Sequence, residues 1–346
     1  AFSPDGKYII SGGDMKNSLK LWDISTGKEI RTFSVPADDM IYSVAFSPDG
    51  SHIMSASRDN SIKLWEIATG KEIRTFTGHT GFVLSVTFSP DGRSAASGSS
   101  DKTIKLWDVS SGKEINTFSG HADSVSSVVF SPDGRYVLSG GFDKTVKLWE
   151  VATGKEIRTF KGHAWQISSV AFSADGRYAL SRSGDRIIKL WDINTGKEIR
   201  TFSADNVDAA GVPAGSQGVI SGAFSPDGRY MLTTDRQGVI KLWDVATGKA
   251  IRAFAGHTGW VPSVTFSNDT KSFISGGKDG TLRLWDIKTG KEIARFISLK
   301  DGEWIVLTPE GYFNASANGA KHLNVGVGNN VYSIDNFYEK FFNPVY

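Results

Sequence analysis

The chain has no cysteine, which excludes disulfides, zinc fingers and thiol catalysis from the start. It has no surplus of one charge either: 39 basic against 37 acidic residues leave a formal +2. That balance gives no electrostatic grip on nucleic acid or on an anionic membrane, and neither is expected as a partner. No apolar run approaches the roughly 20 residues that span a bilayer. No signal peptide is visible, so the cytoplasm is the expected compartment. There is no initiator Met; Ala1-Phe2-Ser3 opens in mid-repeat, which reads as a fragment or processed form. What the chain has in plenty is glycine, 38 residues, as many short strands joined by turns require.

The second abundant feature is repetition. Thr103-Ile104-Lys105-Leu106-Trp107-Asp108 recurs in near-copies that place Trp22, Trp65, Trp107, Trp149, Trp191, Trp243 and Trp285 at separations of 43, 42, 42, 42, 52 and 42 residues. A fixed period of this size means a repeat architecture. In one repeat, Val83–Ser89, Ser94–Ser99, Thr103–Val109 and Glu114–Phe118 read as four strands by their alternation. Pro90-Asp91-Gly92, Ser100-Asp101-Lys102 and Ser111-Gly112-Lys113 supply the turn residues between them. Four such strands make a small sheet with two faces to cover, unstable alone. Copies stacked face to face around an axis cover one another, as in a β-propeller.

Three motifs carry a family resemblance: Gly-His near the start of the repeat, Ser-Pro-Asp-Gly after the first strand, and Trp-Asp ending the third. With them the chain resembles the WD-repeat (WD-40) family from residue 1 to about 297. The resemblance implies an all-β, seven-bladed propeller whose four-stranded blades run from the central channel outward, with residues 1–297 as the propeller domain. Residues 298–346 then form a degenerate eighth β unit or a cap, with an amphipathic helix over Asp335–Phe342. An eight-bladed ring is the alternative. Gly302–Ser316 also resembles a stretch that follows WD repeats in large multidomain bacterial proteins, some with caspase-like peptidase domains. The likeness of the repeats suits a prokaryotic origin.

His79, Ser97 and Asp101 have the residue types of a catalytic triad. They recur as His121, Ser139, Asp143; as His163, Ser181, Asp185; and as His257, Ser275, Asp279. A catalytic triad is one constellation tuned by one environment, so four copies point to structure. In the resembled family the matching positions join Trp107, Trp149, Trp191 and Trp285 in hydrogen-bonded tetrads. The histidines lie in different blades and cannot converge on a metal. No catalytic residue and no cofactor is expected.

Identical positions serve the fold, so function is expected where the copies differ. At one register the repeats carry Met40, Phe82, Ser124, Gln166, Gly218 and Trp260; two residues on they carry Tyr42, Leu84, Ser126, Ser168, Ile220 and Pro262. Before the turn Asp stand Arg58, Ser100, Phe142, Gly184 and Lys278, with Arg236 at the corresponding place in blade six. Trp165 lies one residue off register, and Arg182 replaces a small residue of the second strand. Met40, Tyr42, Phe82 and Trp260, rimmed by Arg58, Arg236 and Lys278, are read as an apolar crescent for a protein partner, because aromatic and Arg residues anchor interfaces. Phe142, Trp165 and Arg182 complete the candidate set. The expected function is a non-enzymatic interaction scaffold or sensor. The alternatives are a regulatory domain of a larger enzyme, such as a caspase-like peptidase, or a small-ligand or glycan-binding propeller.

Overall fold

The computed structural model describes residues 1–12, 18–26, 28–35, 40–185, 187–203, 219–235, 237–298, 303–316, 323–327 and 330–333. Among them the regular structure is all β, arranged as a seven-bladed propeller. The model repeat holds strands Val83–Phe88, Ser94–Ser99, Thr103–Asp108 and Glu114–Ser119, paired antiparallel in sequence order. Blades two to six share that four-stranded order. Blade one has three strands, with a single bridge from Phe2 to Ile9 where the others carry their innermost strand.

Strand alternation explains the core. Residues one apart on a strand face opposite ways, so each blade sends one set of side chains to each neighbour. Ile104, Leu106 and Phe118 pack against Val125, Val128 and Trp149 of the next blade, whereas Trp107 turns back onto Met54, Ile62 and Phe76 of the previous one. Seven such layers between blades replace a single central core. Trp107 lies edge-on to Phe76 at 5.9 Å, a favoured aromatic geometry.

The outer rim is tied by arginines. Arg31 donates to the Ala68 and Thr69 carbonyls of the next blade at 2.8 and 2.9 Å, and Arg74 to Ser110 and Ser111 at 2.8 Å each. Arg158 and Arg252 make the same pair of bonds. The turn that accepts them needs glycine twice over. Gly70 has φ +74°, and a Cβ there would come within 2.7 Å of Arg31 Cδ.

Beyond blade seven, Trp304–Leu307 and Phe313–Ala315 add two strands to its outer edge and make a six-stranded sheet. They form no sheet of their own, and they pair with blade seven rather than with the Tyr8–Gly12 strand of blade one. The ring therefore has seven blades, not the alternative eight. Asn324–Val327 and Asn330–Ser333 form a separate two-stranded ladder. The helix expected over Asp335–Phe342 lies outside the described residues.

Candidate functional site

Each of the four tetrads closes. His79 Nδ1 lies 2.7 Å from Asp101, His79 Nε2 lies 2.7 Å from the Ser97 hydroxyl, and the Trp107 indole N–H donates to that hydroxyl at 2.8 Å. Blades four, five and seven repeat these bonds within a few tenths of an ångström. The donors follow from the partners. An ionised Asp accepts from Nδ1–H, so Nε2 accepts the Ser proton and Ser Oγ accepts from the indole. Ser97, Ser139, Ser181 and Ser275 have no solvent exposure, so none is placed to meet a substrate. Burial opposes ionisation of Asp101 and Asp143, but bonds from the imidazole and from Thr103 or Thr145 outweigh it and pull both below the ordinary carboxylate range. The balance is the same at Asp279, which falls to about 2. Burial pushes His163 and His257 down, against the attraction of their carboxylates.

Blades two and six break the pattern differently. Ala37, where blade two lacks its His, lies outside the described residues. The Lys63 ammonium sits 2.5 Å from Asp59 and 3.2 Å from the Ser61 hydroxyl. Its counterparts Lys105, Lys147 and Lys189 instead pair with Glu114, Glu156 and Glu198. In the blade without the imidazole, a lysine serves the turn carboxylate. Sequence reading missed this, although Ala37 was the signal. In blade six Thr233 takes the serine's place under Trp243, at 2.9 Å. Asp235 is buried there and accepts from the backbone N–H groups of Gln237 and Val239. Burial raises its pKa.

The variable positions gather on the face of the Gly-His loops. Shared backbone bonds confirm a common register: Arg58, Ser100 and Lys278 N–H donate to the carbonyls of Met40, Phe82 and Trp260 at 2.8–2.9 Å, and Phe142 N–H to Ser124. Tyr42 falls at a register break in its strand, as do Leu84, Ser126 and Ser168, and a bulge re-aims its side chain. Met40, Tyr42, Phe82 and Trp260 are 40–41% exposed and Trp165 is 63% exposed. Tyr42 and Phe82 are 6.2 Å apart in adjacent blades, and the Arg58 guanidinium lies over Phe82 at 5.7 Å. The Lys278 ammonium lies 4.8 Å over Trp260. The crescent is thus two units, one on blades two and three and one on blade seven, with blade one between them. Arg236 lies outside the described residues, Phe142 is half-buried, and Arg182 donates to the Ser168 hydroxyl of its own blade.

At the opposite end of the inner strands lies an open cavity of about 400 Å³ at the channel mouth, lined by Phe46, Phe88, Phe130, Phe172 and Phe224 together with Pro48, Pro90 and Pro132. Among the described residues, no charged side chain lines it. The serine hydroxyls at its edge, of Ser89, Ser131 and Ser173, are bonded to the turn aspartates. The recurring Phe-Ser-Pro was its signal in the sequence.

No group of His, Asp and Glu among the described residues is arranged to hold a metal, and no described helix is long and apolar enough to cross a membrane. Short stretches are similar to known proteins. Over 45 residues, 13% of this chain, it is 44% identical to the uncharacterized WD repeat-containing protein alr3466 of Nostoc sp.. Over 53 residues, 15% of the chain, it is 35% identical to the nuclear distribution protein PAC1-2 of Uncinocarpus reesii. These matches span 3% and 10% of those proteins' own lengths. The WD domain, G-beta repeat model matches residues 1–23, 27–66, 70–108, 112–150, 154–192, 211–244 and 248–286, one stretch for each blade, and the chain belongs to that family.

Proposed function

We propose that this propeller is a non-enzymatic scaffold that captures a protein partner on the face of its Gly-His loops. Propellers of the family generally serve protein contacts. The observation that carries the reading is the Tyr42–Phe82 pair under Arg58: two aromatic rings, about two-fifths exposed, in contact across a blade boundary. A fold that buries Trp22, Trp65, Trp107, Trp149, Trp191, Trp243 and Trp285 between its blades has no packing reason to leave this ring pair outside. Aromatic and Arg side chains at the centre of a patch are the residues on which interface energy concentrates. The test is differential capture. Wild type, Phe82→Ala, Trp260→Ala and, as a control on the opposite face, Arg93→Ala are used to capture partners from the source organism, with melting checked for each. The reading expects a partner retained by wild type and Arg93→Ala but lost by Phe82→Ala at unchanged melting temperature. Equal retention by all four proteins sinks it.

The apolar channel mouth supports a second reading, a site for an uncharged hydrophobic ligand. Phe130→Trp would fill part of the cavity. A thermal-shift screen of small aromatic compounds should then show shifts in wild type that shrink in the variant.

A further inference from the structure

We propose that the partner presents an acidic segment to this face, in which carboxylates flank an aromatic or long aliphatic side chain. The inference rests on the scaffold reading above and adds the partner's chemistry. Four cations stand exposed at the turns of this face: Arg58, Lys102, Lys144 and Lys278. Three of the turn aspartates beside them do not cancel this charge from outside: Asp101, Asp143 and Asp279 have side chains 8% exposed and bonded to imidazoles. Asp59 is exposed beside Arg58, but its charge is already paired with the buried Lys63. Asp123 is a further exposed carboxylate on these loops among the described residues.

The fold does not ask for these cations. Lys102 and Lys144 occupy left-handed backbone at φ 74° and 70°, where blades six and seven hold Gly238 and Gly280. Glycine takes that conformation freely, whereas a residue with a Cβ is strained there. Arg58 and Lys278 lie over Phe82 and Trp260. A cation over a ring face keeps outward donors for a carboxylate while the exposed part of the ring accepts an apolar side chain. The two units therefore read the same pair of features, one negative and one apolar. A nucleic acid is the poorer fit. The cations are single and interleaved with rings and Asp123 rather than set in a basic stripe, and the chain as a whole carries only +2.

The test is fluorescence anisotropy with four labelled probes. Three are short peptides sharing one Phe and one Leu, flanked by Asp and Glu, by Gln, or by Lys; the fourth is a single-stranded oligonucleotide. The acidic peptide is expected to bind about tenfold more tightly than its Gln counterpart, and to lose that advantage as salt rises from about 50 to about 500 mM. Arg58→Glu with Lys278→Glu should abolish the preference and favour the Lys peptide. Both residues are exposed, and circular dichroism melting checks the fold; Arg58→Gln is the milder variant and should reduce the preference alone. Equal binding of the acidic and Gln peptides overturns the inference. If Phe82→Ala still blocks that binding, the scaffold reading stands. Tighter binding of the oligonucleotide, no binding of any peptide, or a preference indifferent to charge reversal also overturns it.

Discussion

The Asn314 side-chain amide donates to the Thr26 carbonyl at 2.6 Å, and this bond repeats at the seventh joint what arginines do elsewhere. Thr26 holds the turn position of Thr69, Ser111, Thr195 and Thr289, whose carbonyls accept from Arg31, Arg74, Arg158 and Arg252 of the preceding blade. Blade seven has Ala294 where those arginines stand. The two strands added to its edge bring Asn314 to the vacant contact and lay Trp304 edge-on to Trp22 at 6.2 Å. They thereby staple the ring shut. Trp304→Ala is expected to cost about 3 kcal/mol, the ordinary loss for a buried tryptophan, and Asn314→Ala about 1 kcal/mol. Urea denaturation measures both. A Trp304→Ala midpoint equal to wild type would show that the tail does not close the ring.

Lys63 should matter more than its counterparts in the intact tetrads. It is 7% exposed, and the carboxylate it serves is the tetrad aspartate of a blade that lacks its imidazole. Asp59 falls to about 2: burial opposes its charge, and the bonds from Lys63 and Ser61 prevail. Its pKa is depressed on folding, so the linked stability is present above the ordinary value of 3.8 and drains as pH falls towards about 2. Asp59 is more than a third exposed, so solvent screens the pair, and Lys63→Met is expected to cost only about 1 kcal/mol. Adding Asp59→Asn should recover most of that loss. Denaturation of the two single variants and the double variant forms the cycle. Strict additivity would mean that Lys63 does not stand in for the missing ring.

Acid should weaken the ring in two stages. His163 and His257 have lowered pKa values through burial, so the fold favours the neutral ring. That stability is present above the ordinary 6.5 and is lost as pH falls through the folded values. Asp279 is also depressed, from 3.8 to about 2, which adds a second loss of about 2 kcal/mol below about pH 4. The urea midpoint is expected to fall as pH drops below the ordinary 6.5 of histidine and again below about 4. His163→Gln with His257→Gln should lower the midpoint at pH 7 and flatten the first fall. An unchanged slope in that double variant would contradict the assignment.

Asp235 runs the other way. Burial raises its pKa, so its charge opposes folding; the linked stability is present below the ordinary 3.8 and is lost as pH rises through the folded value. Asp235→Asn keeps an oxygen to accept from Gln237 and Val239 N–H while removing the buried charge. It should stabilise the protein by about 1 kcal/mol at pH 7 and by nothing below about pH 3. A loss of stability at pH 7, seen as a lower melting temperature, would refute this.

The parts of the fold written as local pattern were legible in the sequence. Val83–Phe88 and Thr103–Asp108 end within a residue of where their alternation and turn residues place them. The tetrads were legible because four copies fix the spacing of His, Ser, Asp and Trp. Contacts chosen by three-dimensional neighbours were not. Nothing local tells Trp304–Leu307 to add to blade seven rather than start an eighth blade, since edge pairing depends on which edge is open. Nothing in Ser61-Ile62-Lys63 says that the lysine turns to Asp59 and not, like Lys105, to the fourth-strand glutamate. On the candidate face the register was legible, and with it the place of Trp260 on blade seven and of Tyr42 on blade two; the contact of the Tyr42 and Phe82 rings across a blade boundary was not.

Gly222 raises the same issue across a blade boundary, and it can be tested by a pair of substitutions. It stands opposite Thr233 as Val128 stands opposite Ser139 and Val170 opposite Ser181. A Cβ at Gly222 would come within 3.1 Å of Ile188 in the preceding blade. Arg182, where other blades carry Gly98 and Gly140, pairs with Ser169 and sends its guanidinium to the Ser168 hydroxyl. Gly222→Val should overpack the joint against Ile188 and cost about 2 kcal/mol. Adding Ile188→Val, the residue type that Val146 shows at the same position of blade four, should recover about 1 kcal/mol of that loss, a coupling outside additivity. Thermal denaturation of wild type, the two single variants and the double variant measures it. If the two losses simply add, the two residues do not share the joint.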